Sequence, residues 1–489
     1  MADIKEENSY SNILKRLSAF GGVQIFNILI SLLRGKFVAL FLGPAGMGVS
    51  SLYTSSLTPL QQVCGLGLNL AVVKEIAANK EEESSLRKVI RVALRLILLT
   101  SILGMVATVF TASLWSEFSF GNHDHTTAYL WLSLFVGLSI AGAGLLALLQ
   151  GMGEVKRLSK ATLVGGVSGL IFGVPLYYFF GQQGIVPAMI ALALSMFLFY
   201  LISFRKVSRP IFQGTAAKKS PTEDRQLIKA LLSMGFILLV GSLAGQLITY
   251  LINLYIRITG SLEDIGLFQG ANSITNQYVG MIMSALALDY FPRLSAVCKD
   301  SVEMNKVVNR QTEIVMLVAT PLIILLILTA PLVIRLLLTE RFLPILPLIR
   351  WMGLGMLIQA LAFPLGYIYV AKDDRKAYIW MECVWANICW LACSIGFYHI
   401  FGLLGLGVSL VVRGVIDIFI NFFVCHRRYS FRYSKETTPV MLISLFLAVA
   451  SFAVSLWEND AAYIGISFLL ILSASYSFIH LRGKIRNKH

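Results

Sequence analysis

This sequence is short of charge. Of its 489 residues 14% are Asp, Glu, Lys or Arg, whereas 57% are hydrophobic and the mean hydropathy is +0.75. Soluble domains run near 25% charged, so the composition excludes a soluble globular enzyme and leaves an all-α polytopic membrane protein. Long polar loops are also lacking: the longest outer loop is about SEFSFGNHDHTT. Neither side then holds a domain large enough for a conventional active site, and no enzymatic activity is expected. The first residues, MADIKEENSYSN, are polar, and the apolar run after them is too long and has no small-residue cleavage site, so no cleavable signal peptide is expected. Cysteines number six, in spans or at their inner ends, which argues against disulfides. Cys389 and Cys393 share a helix face without a His or carboxylate beside them and read as small packing residues, so neither metal nor cofactor is expected. His123 and His125 flank Asp124 in an outer loop and read as solvated.

What is present is a series of apolar runs. They predict about 14 membrane-spanning helices, near 17–42, 46–73, 96–115, 128–150, 161–180, 184–204, 230–257, 266–290, 313–338, 348–370, 378–400, 403–425, 439–457 and 461–481. An even number of spans puts both termini on one side. With those termini inside, 34 of the 41 Lys and Arg residues fall in inner segments, and only Arg257, Arg335, Arg341 and Arg350 lie outside or near outer ends. The bias predicts cytoplasmic termini. The net charge of +15 is therefore a topology signal, with a secondary attraction to anionic lipid, and no nucleic-acid partner is expected.

The chain is organised around Leu17 to Ile76. Its first apolar run carries Arg34 and Lys36, each costing roughly 2.5 to 3.5 kcal/mol at the centre of a spanning helix. Gln24, Asn27 and Ser31 precede Arg34 at steps of three, four and three residues, on one helical face. Snorkelling to the interface accounts for one long side chain but not for the amides deeper in; a solvated cavity accounts for all of them. After this hairpin, KEIAANKEEESSLRKVIRVALR reads as an amphipathic inner segment lying along the interface before the third span enters the bilayer.

Two halves resemble each other at an offset of 218 residues, Gly48 in GPAGMGVSS matching Gly266 in IGLFQGANS. The inner loops after the fourth and tenth spans also correspond. This predicts six-helix bundles at 1–204 and 230–425, a cytoplasmic linker at 205–229 and two added helices with a tail at 426–489. The bundles form a parallel repeat with a substrate site between them. In the second half, Gln246, Asn253 and Arg257 share a face of the seventh span, and Gln269, Asn272, Asn276 and Gly280 a face of the eighth. Arg413 and Asp417 lie at i, i+4 in the twelfth, a spacing that suits an ion pair serving either as a brace or in function. Glu382 and Asp289 are further candidates for coupling, although Asp289 also reads as an interfacial residue.

These residues carry a family resemblance. RGKFVALFLGPAGMG with GLGLNLAVVKEIA, then EDIGLFQGANSITNQYVGMIMSALALDYFPRLS and LLLTERFLPILPLIRWMGLGMLIQALAFPLGYIYVAKDDRKAY, are similar to the polysaccharide-export branch of the multidrug/oligosaccharidyl-lipid/polysaccharide exporter superfamily. The similarity is nearest to Wzx-type translocases and covers about residues 15 to 425. It implies flipping of an undecaprenyl-diphosphate-linked oligosaccharide, such as an O-antigen unit, across the bacterial inner membrane, and it places Arg34 at the basic first-helix residue of the cavity. Polysaccharide polymerase and chain-length machinery are partners of such systems. Many such translocases stop after twelve spans, whereas related lipid II flippases have fourteen. The residues agree with this chemistry: Arg34, Lys36, Arg257 and Arg413 would attract a diphosphate, and Gln24, Asn27, Asn253, Asn272 and Asn276 would bond sugar hydroxyls. Asp289, Glu382 or Asp417 would couple transport to an ion, or the membrane potential would drive it. The rivals are an exporter of drugs or other small molecules, a membrane polymerase or ligase, and a scaffold. Cationic drugs would favour an acidic lining, an enzyme would need a sizeable loop or domain, and a scaffold gives no reason to bury Arg34.

Overall fold

In hydrocarbon every backbone N–H and C=O must find its partner within its own segment, so a chain this apolar is driven to helix. A computed structural model describes residues 2–80, 82–212, 221–457 and 459–486. The side chains of residues 2–27, 210–212, 221–224, 237–238, 240–241, 278–279, 281–282, 284–285, 287–289, 483 and 485–486 lie outside the description. The described residues form fifteen α-helices and no strand. They fall into two compact units, 1–250 and 251–489.

In the first unit, α1 (Ala2–Gly65) is broken at Gly43, whose φ of 65° is followed by Pro44. That Gly-Pro step is where the sequence separates its first two spans. The second span does not run on to residue 73: Leu66 and Gly67 adopt left-handed φ of 51° and 61°, and α2 (Leu68–Ala78) starts afresh. The reason is tertiary, because a Cβ on Gly67 would stand 2.1 Å from the Gly235 carbonyl oxygen. The amphipathic stretch after α2 also differs from expectation. Residues 83–95 continue without a break into the third span as α3 (Glu83–Phe120), 38 residues long. Helices α4 (Thr126–Gly151), α5 (Val155–Phe180) and α6 (Ile185–Phe212) follow, α5 and α6 being joined by the turn Gly181–Gly184. Their core centres on Ile76, Ile90, Leu148 and Leu149.

The turn between α3 and α4 is less solvated than the sequence suggests. His125 is half-buried, stacks on Phe120 with centroids 3.7 Å apart and shares a 2.6 Å hydrogen bond with the Tyr53 hydroxyl. Burial holds its pKa below the usual 6.5, against the pull of Asp124. As pH falls through that value the unfolded chain takes up a proton that the folded chain resists, so the stability conferred by neutral His125 is lost on acidification. Melting curves in detergent between about pH 7 and pH 5 should show the wild type losing more stability than His125→Gln. Parallel curves would assign the pH dependence elsewhere.

Helix α7 (Pro221–Thr259) runs from the first unit into the second, and α8 (Leu262–Val297) follows. Ser261 and Asp264 form a reciprocal capping box at the start of α8, each bond 3.1 Å. Next comes α9 (Ser301–Leu337), capped by Asp300. A short 3₁₀ turn, Glu340–Ile345, leads to α10 (Leu346–Ala371). The short α11 (Arg375–Tyr378) then passes through a π-helical segment, Ile379–Trp385, into α12 (Ala386–Phe401). The unit is completed by α13 (Leu403–Tyr429), α14 (Thr437–Ser455) and α15 (Asp460–Arg486). One core gathers Ile323, Ile327, Leu357 and Ala448; another gathers Tyr290, Tyr369 and Phe431. Asp374, in the turn after α10, caps α11 through the Ala377 N–H and accepts from the Tyr429 hydroxyl at 2.8 Å. These bonds, chiefly the one from Ala377, together with the Arg428 guanidinium, hold its carboxyl below the usual carboxylate range.

Ten stretches of the described residues are long and apolar enough to cross a membrane. Two of them, Ile28–Gly65 and Val155–Arg209, each cover two of the spans read from the sequence. The runs at 230–257 and 266–290 fall on α7 and α8, whose side chains are described only in part. Phe110, Phe419, Phe446 and Ile464 are each at least 68% exposed, which is expected where the neighbour is acyl chain and not water.

Candidate functional site

The most chemically loaded place in the second unit is built on α13. Arg413, Asp417 and Asn421 recur every fourth residue and so line one face of that helix. The ion pair that the spacing allows is made: Arg413 Nε lies 3.2 Å from Asp417 Oδ2. The guanidinium also lies 5.2 Å from the centre of the Trp390 ring, a cation–π arrangement that compensates part of its desolvation. One turn on, Asn421 Nδ2 donates to the Asp417 carbonyl at 3.0 Å and Oδ1 accepts from the Tyr369 hydroxyl at 2.8 Å. Asp417 is 7% exposed, and its second carboxylate oxygen, Oδ1, has no hydrogen-bond partner among the described residues.

Facing this stripe is Glu382, carried by the π-helical segment. Such a widened turn advances the side chains after it out of α-helical register and leaves carbonyls without their usual donors. Asn387 Nδ2 meets two of them, donating to the carbonyls of Glu382 at 3.2 Å and Cys383 at 2.8 Å. On α10 the residue opposite is Gly366, where a Cβ would stand 2.7 Å from Glu382 Oε1. Glycine there makes room for the carboxylate. The Glu382 charge interacts with those of both Asp417 and Arg413. Together these groups line a cavity of about 460 Å³ with Gln359, Tyr367 and Tyr378. Gln359 Nε2 is buried there with no partner among the described residues. One guanidinium against two carboxylates gives the cavity a formal surplus of negative charge, so Arg413 serves there as a partner to acids and not as a lone cation.

The other residues singled out by the sequence are placed as follows. Arg34 is exposed on α1, and its charge bears on the buried Tyr177 hydroxyl of α5; Lys36 is half-buried and engaged in contacts. The side chains of Gln24, Asn27 and Asp289 lie outside the described residues. Asn253 is 2% exposed and Arg257 half-buried, both engaged. Asn276 Nδ2 donates to Asn272 Oδ1 at 2.6 Å, one hydrogen bond that links the two amides along α8. Cys389 and Cys393 sulfurs are 4.0 Å apart as free thiols. Sequence reasoning missed Gln359, Asn421, Trp390 and Gly366. Asn421 was available as the next i+4 step after Asp417 and Gln359 as a lone amide within an apolar span, whereas Gly366 carried no signal.

The fold is one shared with solved membrane transporters. It matches a lipid II flippase MurJ in an inward closed conformation with a TM-score of 0.70 at 15% identity, over 95% of this chain and 99% of that one. It matches an inward-facing multidrug resistance MATE family transporter of the MOP superfamily with a TM-score of 0.69 at 16% identity, over 83% and 94%. Residues 37–347 match the family described as polysaccharide biosynthesis protein, and the chain belongs to that family. It is 25% identical over 358 residues to the lipid III flippase of Escherichia coli, covering 72% of this chain and 83% of that one. It is also 22% identical over 386 residues to a putative O-antigen transporter of Shigella flexneri, covering 78% and 90%.

Proposed function

We propose that this protein is a flippase that carries an undecaprenyl-diphosphate-linked oligosaccharide, an O-antigen or similar surface-polysaccharide unit, from the cytoplasmic to the outer leaflet of a bacterial inner membrane. The observation that carries the reading is the alignment with the lipid III flippase over most of both chains. Family membership and the second relative support it. In this reading both termini are cytoplasmic, bundles at 1–204 and 230–425 alternate the access of the polar groups, and the product passes to polymerase and chain-length machinery. No bond of the glycan is made or broken. Arg34, exposed on a spanning helix, offers a charge-assisted contact to the diphosphate, with Lys36 and Arg257 as further cations. Gln24, Asn27, Asn253, Asn272 and Asn276 supply hydrogen bonds to sugar. Arg413 is committed to Asp417, so with Glu382 it belongs to the coupling of transport to a cation, Asp289 being a further carboxylate for that role.

The net acidity of the cavity around Glu382, together with the fold shared with a multidrug transporter, favours a second reading, cation-coupled export of a small molecule. One assay separates the two. Proteoliposomes are loaded either with a fluorescent undecaprenyl-diphosphate oligosaccharide or with a lipophilic cation, with and without imposed potential and pH gradients. The flippase reading expects protein-dependent movement of the first. Movement of the cation alone establishes the exporter. Arg34→Ala is expected to slow oligosaccharide transfer at least tenfold, about 1.4 kcal/mol or more of lost stabilisation, at unchanged abundance in the membrane. Wild-type rates from a well-inserted Arg34→Ala protein would remove Arg34 from the substrate path.

A further inference from the structure

The second polar cavity of the second unit lies at the end of the spans, where α9 begins, the 430–436 loop crosses and α15 ends. It has a volume of about 750 Å³ and is lined by the basic residues Lys306, Arg310, Arg432, Lys435 and Lys484 and the acidic residues Glu313 and Glu436. Five positive charges against two negative give it the opposite sign to the cavity around Glu382.

Its frame is built from buried polar bonds. Asn309, 6% exposed, uses both ends of its amide on the loop backbone: Nδ2 donates to the Arg432 carbonyl at 2.9 Å, and Oδ1 accepts from the Ser434 N–H at 2.8 Å. Glu313, 4% exposed, accepts from the Thr437 hydroxyl at 2.8 Å and is paired with Lys484, which ties the end of α15 to α9. The side chains of Arg310, Arg432 and Lys435 are exposed at the rim with no ion pair or hydrogen bond to a described residue. Tyr433, also in the lining, stacks its ring on Phe422 and meets Phe431 edge to face, and so joins the loop to the core around Tyr290. Such a hollow combines a hydrogen-bonded floor with uncommitted cations at its rim.

We propose that this cavity binds a phosphate-bearing anion, and that the phosphate is the headgroup of an anionic phospholipid. Position selects the source. The apolar stretch of α15 ends at Arg482 and Lys484 follows two residues later, so the hollow opens at headgroup depth. Phe478 and Ile479, 65% and 70% exposed, present an apolar surface one to two turns away on which acyl chains can lie. Basic hollows between spanning helices at this depth are where anionic headgroups are held. Because α14 and α15 supply one wall, the bound lipid would fasten these two helices to α9. This site is independent of what the transporter carries.

The test uses the full-length protein purified in mild detergent and analysed by native mass spectrometry with phosphatidylglycerol or phosphatidylethanolamine added. The wild type is expected to retain phosphatidylglycerol in preference to phosphatidylethanolamine. The triple variant Arg310→Gln/Arg432→Gln/Lys435→Gln is expected to lose that retention at least fivefold, and a control with Arg205→Gln/Lys206→Gln to keep it. Single Arg310→Glu, a rim substitution with no bond to break, should reproduce a smaller loss if the triple variant proves unstable. Equal retention by wild type and rim variants overturns the site. Thermal stabilisation by inorganic phosphate or glycerol phosphate that matches phosphatidylglycerol and vanishes in the variants supports the phosphate chemistry and overturns the lipid as its source.

Discussion

Arg413→Ala is expected to destabilise the second unit by about 3 to 5 kcal/mol, the cost of removing one member of a buried ion pair. The size follows from what remains. Asp417 is 7% exposed and already has one oxygen unbonded, and the truncation strips its other oxygen of the 3.2 Å contact with the guanidinium. Glu382 then faces a second carboxylate with no cation to offset it. The arrangement over Trp390 is lost as well, about 0.5 to 2 kcal/mol more. Thermal melts in detergent read the effect, and the paired replacement Arg413→Met/Asp417→Leu decides its cause. Apolar residues of similar volume in place of a buried pair are often neutral or stabilising. The double variant is therefore expected to melt near the wild type while failing to respond to an ion gradient in proteoliposomes. If it melts as low as Arg413→Ala, the arginine stem's packing matters and not the stranded charge.

The same residues show how far the sequence carries. The Arg413–Asp417 pair was legible because a helix brings i and i+4 together whatever surrounds it, and the break at Gly43 because a Gly-Pro step rarely continues a helix. The apolar runs likewise fixed the class of fold. That Glu382 faces this pair was not legible: it depends on how α10 and α13 pack and on the widened turn at Ile379–Trp385, which shifts the helical register on which sequence periodicity relies. His125 was misread for the same reason, since its partners Tyr53 and Phe120 are set by tertiary contact and not by the polarity of its neighbours. In the cavity at the base of α9, each basic residue reads singly as part of a positive-inside loop, and only the fold shows five of them around one hollow.

Gly235→Ala should be destabilising although the substitution lies inside a helix, where alanine is ordinarily favoured over glycine by about 1 kcal/mol. The sign is reversed by a backbone-to-backbone approach. A Cβ at Gly235 would stand 2.2 Å from the Leu66 carbonyl oxygen, and a Cβ at Gly67 would stand 2.1 Å from the Gly235 carbonyl oxygen. Carbonyls fixed in their own backbone cannot step aside as a side-chain terminus can, so α2 and α7 must separate. Overpacking of this kind costs about 1 to 3 kcal/mol. Gly67→Ala carries a further penalty of about 1 to 2 kcal/mol, because φ there is +61°. Gly65→Ala, two residues away with no atom within 4 Å of its Cβ position, is the control and should be neutral. Fluorescence-detected gel filtration and melting temperature read all three. The double variant Gly67→Ala/Gly235→Ala should cost less than the sum of the single ones, because one separation of the two backbones relieves both clashes. Additive losses would mean that the two glycines serve different neighbours, and a stabilised Gly235→Ala would mean that α7 does not approach the Leu66–Gly67 turn this closely.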